Sequence, residues 1–186
     1  MLVIDKTKVS NTNIDFLKQF EHEATCIMQP GEHYKLLTYL SHWFHNSIIL
    51  DIGTCTGHSC LALANNPTNK VITYDINSFN DFRILMNSNI TFVQENALFI
   101  NSSEIRNADL ILLDISPHDG LQEQLFYNKL VEKKYKGFLL CDDIFYSSGM
   151  REWWDSIDLP KYDLTEIGHS SGTGLVNFSN RQVNIL

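Results

Sequence analysis

Five short apolar runs, SIILDI, KVITYD, ITFVQ, ADLILLD and GFLLCDD, recur through the middle of the chain, and four of them close on or beside an aspartate. Each is too short for a helix and apolar at consecutive positions, the pattern of strands buried on both faces of a parallel sheet. Most of the intervening stretches read as helices: HSCLALANN, SFNDFRILMN, DGLQEQLFYNKLVEKKY with Asp119 as its cap, and, after the last run, SGMREWWDSI. Parallel neighbours require crossover connections of this kind. KYDLTEIG and GTGLVNFS then read as two strands joined by a short Gly/Ser turn, an antiparallel hairpin. Residues 1–46 read as a helical cap, with NTNIDFLKQFEHEA followed by PGEHYKLLTYLSHWF, in which Leu36, Leu37, Leu40 and Phe44 recur at helical spacing. The expected architecture is α/β: a doubly wound, Rossmann-like, mostly parallel sheet of about seven strands ending in a hairpin. The sheet domain spans 47–186, and with the cap it makes a single compact domain. Ligands of such sheets bind beyond the carboxyl ends of the strands, where the strand order reverses.

Bulk properties exclude several classes. The net charge of −8 argues against a nucleic-acid or anionic-membrane partner. No apolar stretch reaches the roughly 18 residues of a membrane span. The start, MLVIDKTKVSNTNIDF, lacks the apolar core of a secretory signal. Cys26, Cys55, Cys60 and Cys141 form no CxxC pair, which fits a reduced, cytoplasmic setting.

The first run leads into LDIGTCTGHSC, a strand that turns on Gly53 and reaches Gly57 as a helix begins. Glycine permits positive φ and close backbone approach, so a ligand's polar group can sit against this turn. The loop is not the dinucleotide fingerprint, because Cys55 stands where its second glycine belongs. Asp51 lies two positions before the turn, and Asp75 ends the second run at the distance suited to a carboxylate that grips ribose hydroxyls.

With Asp51-Ile52-Gly53-Thr54-Cys55-Thr56-Gly57 and Asp75, the chain resembles the class I S-adenosylmethionine-dependent methyltransferases from about residue 30 onward. The resemblance implies a cofactor site of Asp51, Gly53, Thr54, Gly57, Ser59, Asp75 and Asn96. The two glycines would admit the methionyl end and Ser59 its carboxylate. Asp75 would hold the ribose, and Asn96 would contact adenine in place of the more usual aspartate.

Two further runs, LILLDISPHDG and GFLLCDDIF, carry Asp114, Asp142 and Asp143 at the ends of strands expected to be neighbours. Three carboxylates brought together call for a cation or a proton between them. Oxygen ligands favour Mg²⁺, Mn²⁺ or Ca²⁺, and a hydroxyl bound to such an ion is held and made more acidic. The arrangement resembles the catechol-type metal-dependent O-methyltransferases, which implies Asp114, Asp142 and Asp143 as ligands of Mg²⁺ or Mn²⁺. Those enzymes place a lysine where this chain has Pro117, and His118 follows directly, so Asp114 and His118 form the candidate catalytic pair. GHSSGTGLVNF, PHDG and DDI look closest to the macrocin-type sugar O-methyltransferases and the cephalosporin hydroxylases. His169 reads as structural rather than pocket-facing, and Trp153 and Trp154 as core rather than pocket wall. His33 and Tyr34 stand where they can lid the cofactor.

The expectation is an S-adenosylmethionine-dependent O-methyltransferase that uses a divalent cation to methylate a hydroxyl of a small molecule or glycan, a sugar hydroxyl being preferred. A metal-independent methyltransferase, a related sugar- or antibiotic-modifying enzyme such as a hydroxylase, and a non-catalytic cofactor-binding subunit stay open. The oligomeric state is not fixed by the sequence, and a dimer is compatible with it.

Overall fold

The structure, a computed structural model, describes residues 1–20, 32–78 and 82–186. After β1 (Leu2–Ile4), α1 (Lys6–Ser10), a 3₁₀ turn over Asp15–Phe20 and α2 (Tyr34–Trp43), strands and helices alternate: β2 (Ile48–Ile52), α3 (His58–Leu63), β3 (Lys70–Asp75), α4 (Phe82–Leu85), β4 (Ile90–Gln94), α5 (Ser102–Asn107), β5 (Leu110–Leu113), α6 (Leu121–Glu132), β6 (Phe138–Cys141) and α7 (Ser148–Ser156). The chain closes with β7 (Lys161–Asp163), β8 (Gly174–Asn177) and β9 (Val183–Ile185).

A 7-stranded sheet has the order β4-β3-β2-β5-β6-β8-β7, parallel except where β8 runs against β6 and β7. The doubly wound α/β expectation therefore holds, hairpin included. The strands leave β2 in one direction through β3 and β4, then return to its other side with β5. The switch point lies between β2 and β5, whose register pairs Ile52 with Leu113.

Each central strand is apolar throughout because both its faces are covered. Ile49, Leu112, Phe138 and Leu140 face a core shared with Val9, Leu36, Leu40 and Leu61 from α1 to α3. The alternate residues Leu50, Ile111, Leu113 and Leu139 face Ile105, Phe126, Leu130 and Trp153 from α5 to α7. Ser147 caps α7, accepting a hydrogen bond from the Met150 amide at 3.1 Å.

Three details depart from the sequence reading. Residues 1–46 are not helical throughout: β1 pairs in parallel with β9 in a separate 2-stranded sheet that joins the two ends of the described chain. That pairing needs a partner near residue 184, which local periodicity cannot reveal. The helices expected over 11–24, 30–44 and 78–87 run partly outside the described residues; within them the first is only a 3₁₀ turn and the last only α4. The hairpin connection is also longer than a tight turn and includes a 3₁₀ turn at Thr165–Ile167.

α7 packs onto β8 as closely as it does only because Gly174 has no side chain. A Cβ there would lie 2.4 Å from Cη2 of Trp154, a buried residue of α7. Gly174→Ala should cost about 1–3 kcal/mol through overpacking. Trp154→Phe removes the ring carbons that the methyl would strike, so the double variant should recover part of that loss. Chemical denaturation of the four proteins checks this, and strictly additive losses would show that the two side chains are not coupled.

Candidate functional site

The site grows from the exit of β2. Gly53 has φ +104, and a Cβ there would fall 1.7 Å from the carbonyl oxygen of Asp114, so the exits of β2 and β5 approach as backbones alone can. The Gly53 and Thr54 amides both donate to the Tyr74 carbonyl, at 2.9 and 3.2 Å, and hook the turn onto β3. Cys55, also at positive φ, donates its amide to Asp75 Oδ2 at 3.0 Å, while Asn77 donates to Oδ1 at 2.8 Å. Gly57, at φ +83, then opens α3. A cleft of about 210 Å³, lined by Thr54, Cys55, Thr56, Asp75, Asn77 and Ser78, opens over this turn.

Asp51 lies beneath the cleft. Its Oδ2 accepts from Ser59 Oγ at 3.2 Å and Thr73 Oγ1 at 2.6 Å, and the Thr73 hydroxyl pairs with that of Thr54 at 2.6 Å. Asp51 and Ser59 thus tie β2, β3 and α3 together below the turn. Among the described residues Asp51 Oδ1 has no hydrogen-bond partner, and burial pushes the carboxyl up to about 6. Asn96 is exposed and is not among the cleft-lining residues; its side-chain oxygen caps the 3₁₀ turn Ala97–Phe99 by accepting from the Leu98 amide at 2.8 Å.

The second group stands at the ends of β5 and β6. Asp114, His118 and Asp143 present one ligand atom each, all within 4.8 Å of one another. His118 Nδ1 is 3.4 Å from Asp143 Oδ2, and its Nε2 is 4.0 Å from Asp114 Oδ1. Both His118 and Asp143 have positive φ, and the Ser147 hydroxyl donates to the His118 carbonyl at 2.7 Å. Tyr146, 65% exposed, places its ring 5.6 Å from that of His118.

Asp142, expected beside Asp114 and Asp143, engages a different set. Its Oδ1 is 3.1 Å from His33 Nδ1, and its Oδ2 is 3.1 Å from His169 Nδ1. Thr173 donates to Oδ1 at 3.4 Å, and Asp143 Oδ1 lies 3.2 Å from the same His169 nitrogen. Ser171 hydrogen-bonds Asp143 and also His169 Nδ1. His33 and His169 are therefore central to the site, which sequence spacing did not disclose. Their contacts with Asp142 are tertiary, and only the lone GEHY and GHSS segments mark them in the chain. Trp153 and Trp154 are buried in the core.

Burial pushes Asp114 up to about 7, with the Asp142 charge adding to the effect. Burial also works to raise Asp142, but His33 and His169 outweigh it and hold this carboxyl well below the usual range. Hydrogen bonds to Asp142 and Asp143 lift His169 to about 11. Burial acts to lower His33, yet the neighbouring Asp142 carries it up to about 9.

Asp51 gives a pH test of the turn. Its folded carboxyl is raised from 3.8 to about 6, so the folded state holds the proton more tightly than the unfolded chain and loses stability as pH rises through that window. The loss approaches about 3 kcal/mol above pH 6, at 1.36 kcal/mol per unit. In the ligand-free protein, Asp51→Asn should gain on the parent by that order between pH 4 and 7, measured by urea unfolding. A difference flat with pH would contradict it.

No protein-family model matches the chain, and no curated protein is similar to it in sequence. Solved structures do match. A cofactor-bound protein from MTB, Rv0187, superposes with a TM-score of 0.61 at 16% identity over 94% of this chain and 88% of its own. A Staphylococcus aureus protein provisionally assigned as a caffeoyl-CoA O-methyltransferase matches at 0.57 and 17% over 90% and 93%. The SAH-bound methyltransferase PaMTH1 of Podospora anserina matches at 0.56 and 12% over 94% and 86%. At these identities the likeness is one of fold, and the β-strand order, the terminal hairpin and the glycine turn at the switch point agree with it: the chain has the fold of the class I S-adenosylmethionine-dependent methyltransferases.

Proposed function

We propose that this protein transfers a methyl group from S-adenosylmethionine to a hydroxyl of a small molecule or glycan, with a divalent cation at the acceptor side. One observation carries the reading: the Gly53–Asp75 cleft and the Asp114–His118–Asp143 cluster open at the same edge of the sheet, joined where Gly53 lies against the Asp114 carbonyl.

Asp75 retains free lone pairs on both oxygens and would accept from the two ribose hydroxyls. Gly53 and Gly57 keep side chains away from the methionyl end, while Asp51, Ser59 and Thr54 hold the turn in shape. The cation fits the donor set: Asp114 and Asp143 supply hard oxygens, and burial with the neighbouring Asp142 charge raises the Asp114 carboxyl, an effect that a bound cation would offset. Asp142 would join them only by releasing a histidine. The bound cofactor supplies an electrophilic sulfonium methyl and the cation an acidified, oriented hydroxyl. His118, beside both carboxylates, would take the proton that the acceptor hydroxyl gives up. The acceptor would leave as a methyl ether and the cofactor as S-adenosylhomocysteine. Exposed Tyr146 next to His118 offers an aromatic face to sugar C–H groups, which supports a sugar acceptor. The charge of −8 supports a non-nucleic-acid substrate.

Thermal unfolding with S-adenosylhomocysteine, with and without Mn²⁺ and against NAD⁺ as control, tests both halves. A ligand at 100 times its dissociation constant stabilises by about 2.7 kcal/mol. S-adenosylhomocysteine should raise Tm, NAD⁺ should not, and Mn²⁺ should add a further increment. Asp75→Ala should weaken the first effect, and Asp114→Asn should remove only the second. No response to S-adenosylhomocysteine would refute the cofactor assignment, and turnover unaffected by chelation would refute the cation.

A further inference from the structure

His33, Asp142 and His169 form a second cluster beside that of Asp114, His118 and Asp143, with ligand atoms within 4.8 Å of one another. Three parts of the chain meet there: the turn before α2, the end of β6, and the loop that leads into β8. His33 is 4% exposed, yet neither of its ring nitrogens makes a hydrogen bond among the described residues. Its Nδ1 lies 3.1 Å from Asp142 Oδ1, but off the line that an N–H···O bond requires. The spacing has another origin in chemistry. Two donors each about 2.1 Å from one ion, at octahedral or tetrahedral angles, lie roughly 3.0–3.4 Å apart. His169 meets the other oxygen of the same carboxylate, its Nδ1 hydrogen-bonded to Asp142 Oδ2 at 3.1 Å and to Ser171 Oγ at 2.9 Å, bonds that an ion would replace.

We propose that His33, Asp142 and His169 bind a divalent transition-metal ion, of the Zn²⁺ or Fe²⁺ type, that fastens the turn before α2 onto the carboxyl edge of the sheet. Two imidazoles and one carboxylate select such an ion over Mg²⁺, which the oxygen donors of Asp114 and Asp143 suit better. Asp143 lies between the two groups, one oxygen toward His169 and the other toward His118. Buried His33 closes the inner side, and on the outer side Glu32 Oε1 lies 4.0 Å from Nε2 of half-buried His169. The proposal does not depend on methyl transfer.

The test uses the full chain with Zn²⁺ as the probe, in a large excess of Mg²⁺. Equilibrium dialysis should find Zn²⁺ retained, and nitrogen NMR of the unaltered protein should show the imidazole resonances of His33 and His169 shifting. His33→Gln and His169→Gln should each weaken Zn²⁺ by more than the roughly 10–100-fold that loss of a supporting residue brings. Asp114→Asn should leave Zn²⁺ affinity within a few-fold. Cooperative unfolding of each variant establishes that it folds, and the NMR shifts stand without any variant. Zn²⁺ that shifts His118 instead, that is lost with Asp114→Asn, or that is not retained in excess Mg²⁺ would overturn the proposal.

Discussion

Gly53 lies against the Asp114 carbonyl with no room for a single methyl between them, and the geometry of the site follows from that contact. It fixes how closely β2 and β5 emerge at the point where the sheet reverses its strand order. From one side of the contact the chain runs over the glycine turn to Asp75; from the other it runs through Asp114 to His118. A bulkier residue at Gly53 would clash with backbone, which has no rotamer to adopt, and would also have to occupy a positive φ. The two candidate half-sites are adjacent because of this packing.

Electrostatics shape the other edge. Asp114, Asp142 and Asp143 end neighbouring strands, and such a concentration of negative charge in a half-buried place needs compensation. The chain divides the task. Asp142 goes to two histidines brought from distant segments, and Asp143 reaches both groups. Asp114, with His118 about 4.0 Å away, keeps a raised carboxyl. The resulting asymmetry is chemically useful. One carboxylate is firmly ionised and fixed, while another is poised to gain a cation or hold a proton.

Much of the fold was legible in the sequence because both strand burial and helix amphipathicity are local patterns. Runs such as LILL and FLLC, too short for helices, read as central strands, and the Gly53–Gly57 spacing marked a strand exit open to a ligand. The β1–β9 pair was not legible, since three-residue strands carry no periodicity and their partners lie at opposite ends of the described chain. The same limit applied to the site. Gly53, Thr54, Gly57 and Asp75 are close in sequence or linked by adjacent strands; Thr54 and Asp75 line one cleft, and the two glycines shape the turn beside it. His33 and His169 reach Asp142 through tertiary packing alone, so neither could be assigned from spacing, and the division of the three aspartates into two groups was invisible. Asn96, assigned from the resemblance alone, accepts a local backbone hydrogen bond from Leu98.

The central claim is that the glycine turn receives S-adenosylmethionine. A crystal structure of the protein grown with S-adenosylhomocysteine tests it most directly. The account predicts the ribose hydroxyls on the Asp75 carboxylate and the sulfur directed toward Asp114 and His118. S-adenosylhomocysteine bound elsewhere, or a cleft over Gly53–Gly57 that stays empty at saturating ligand, would contradict it.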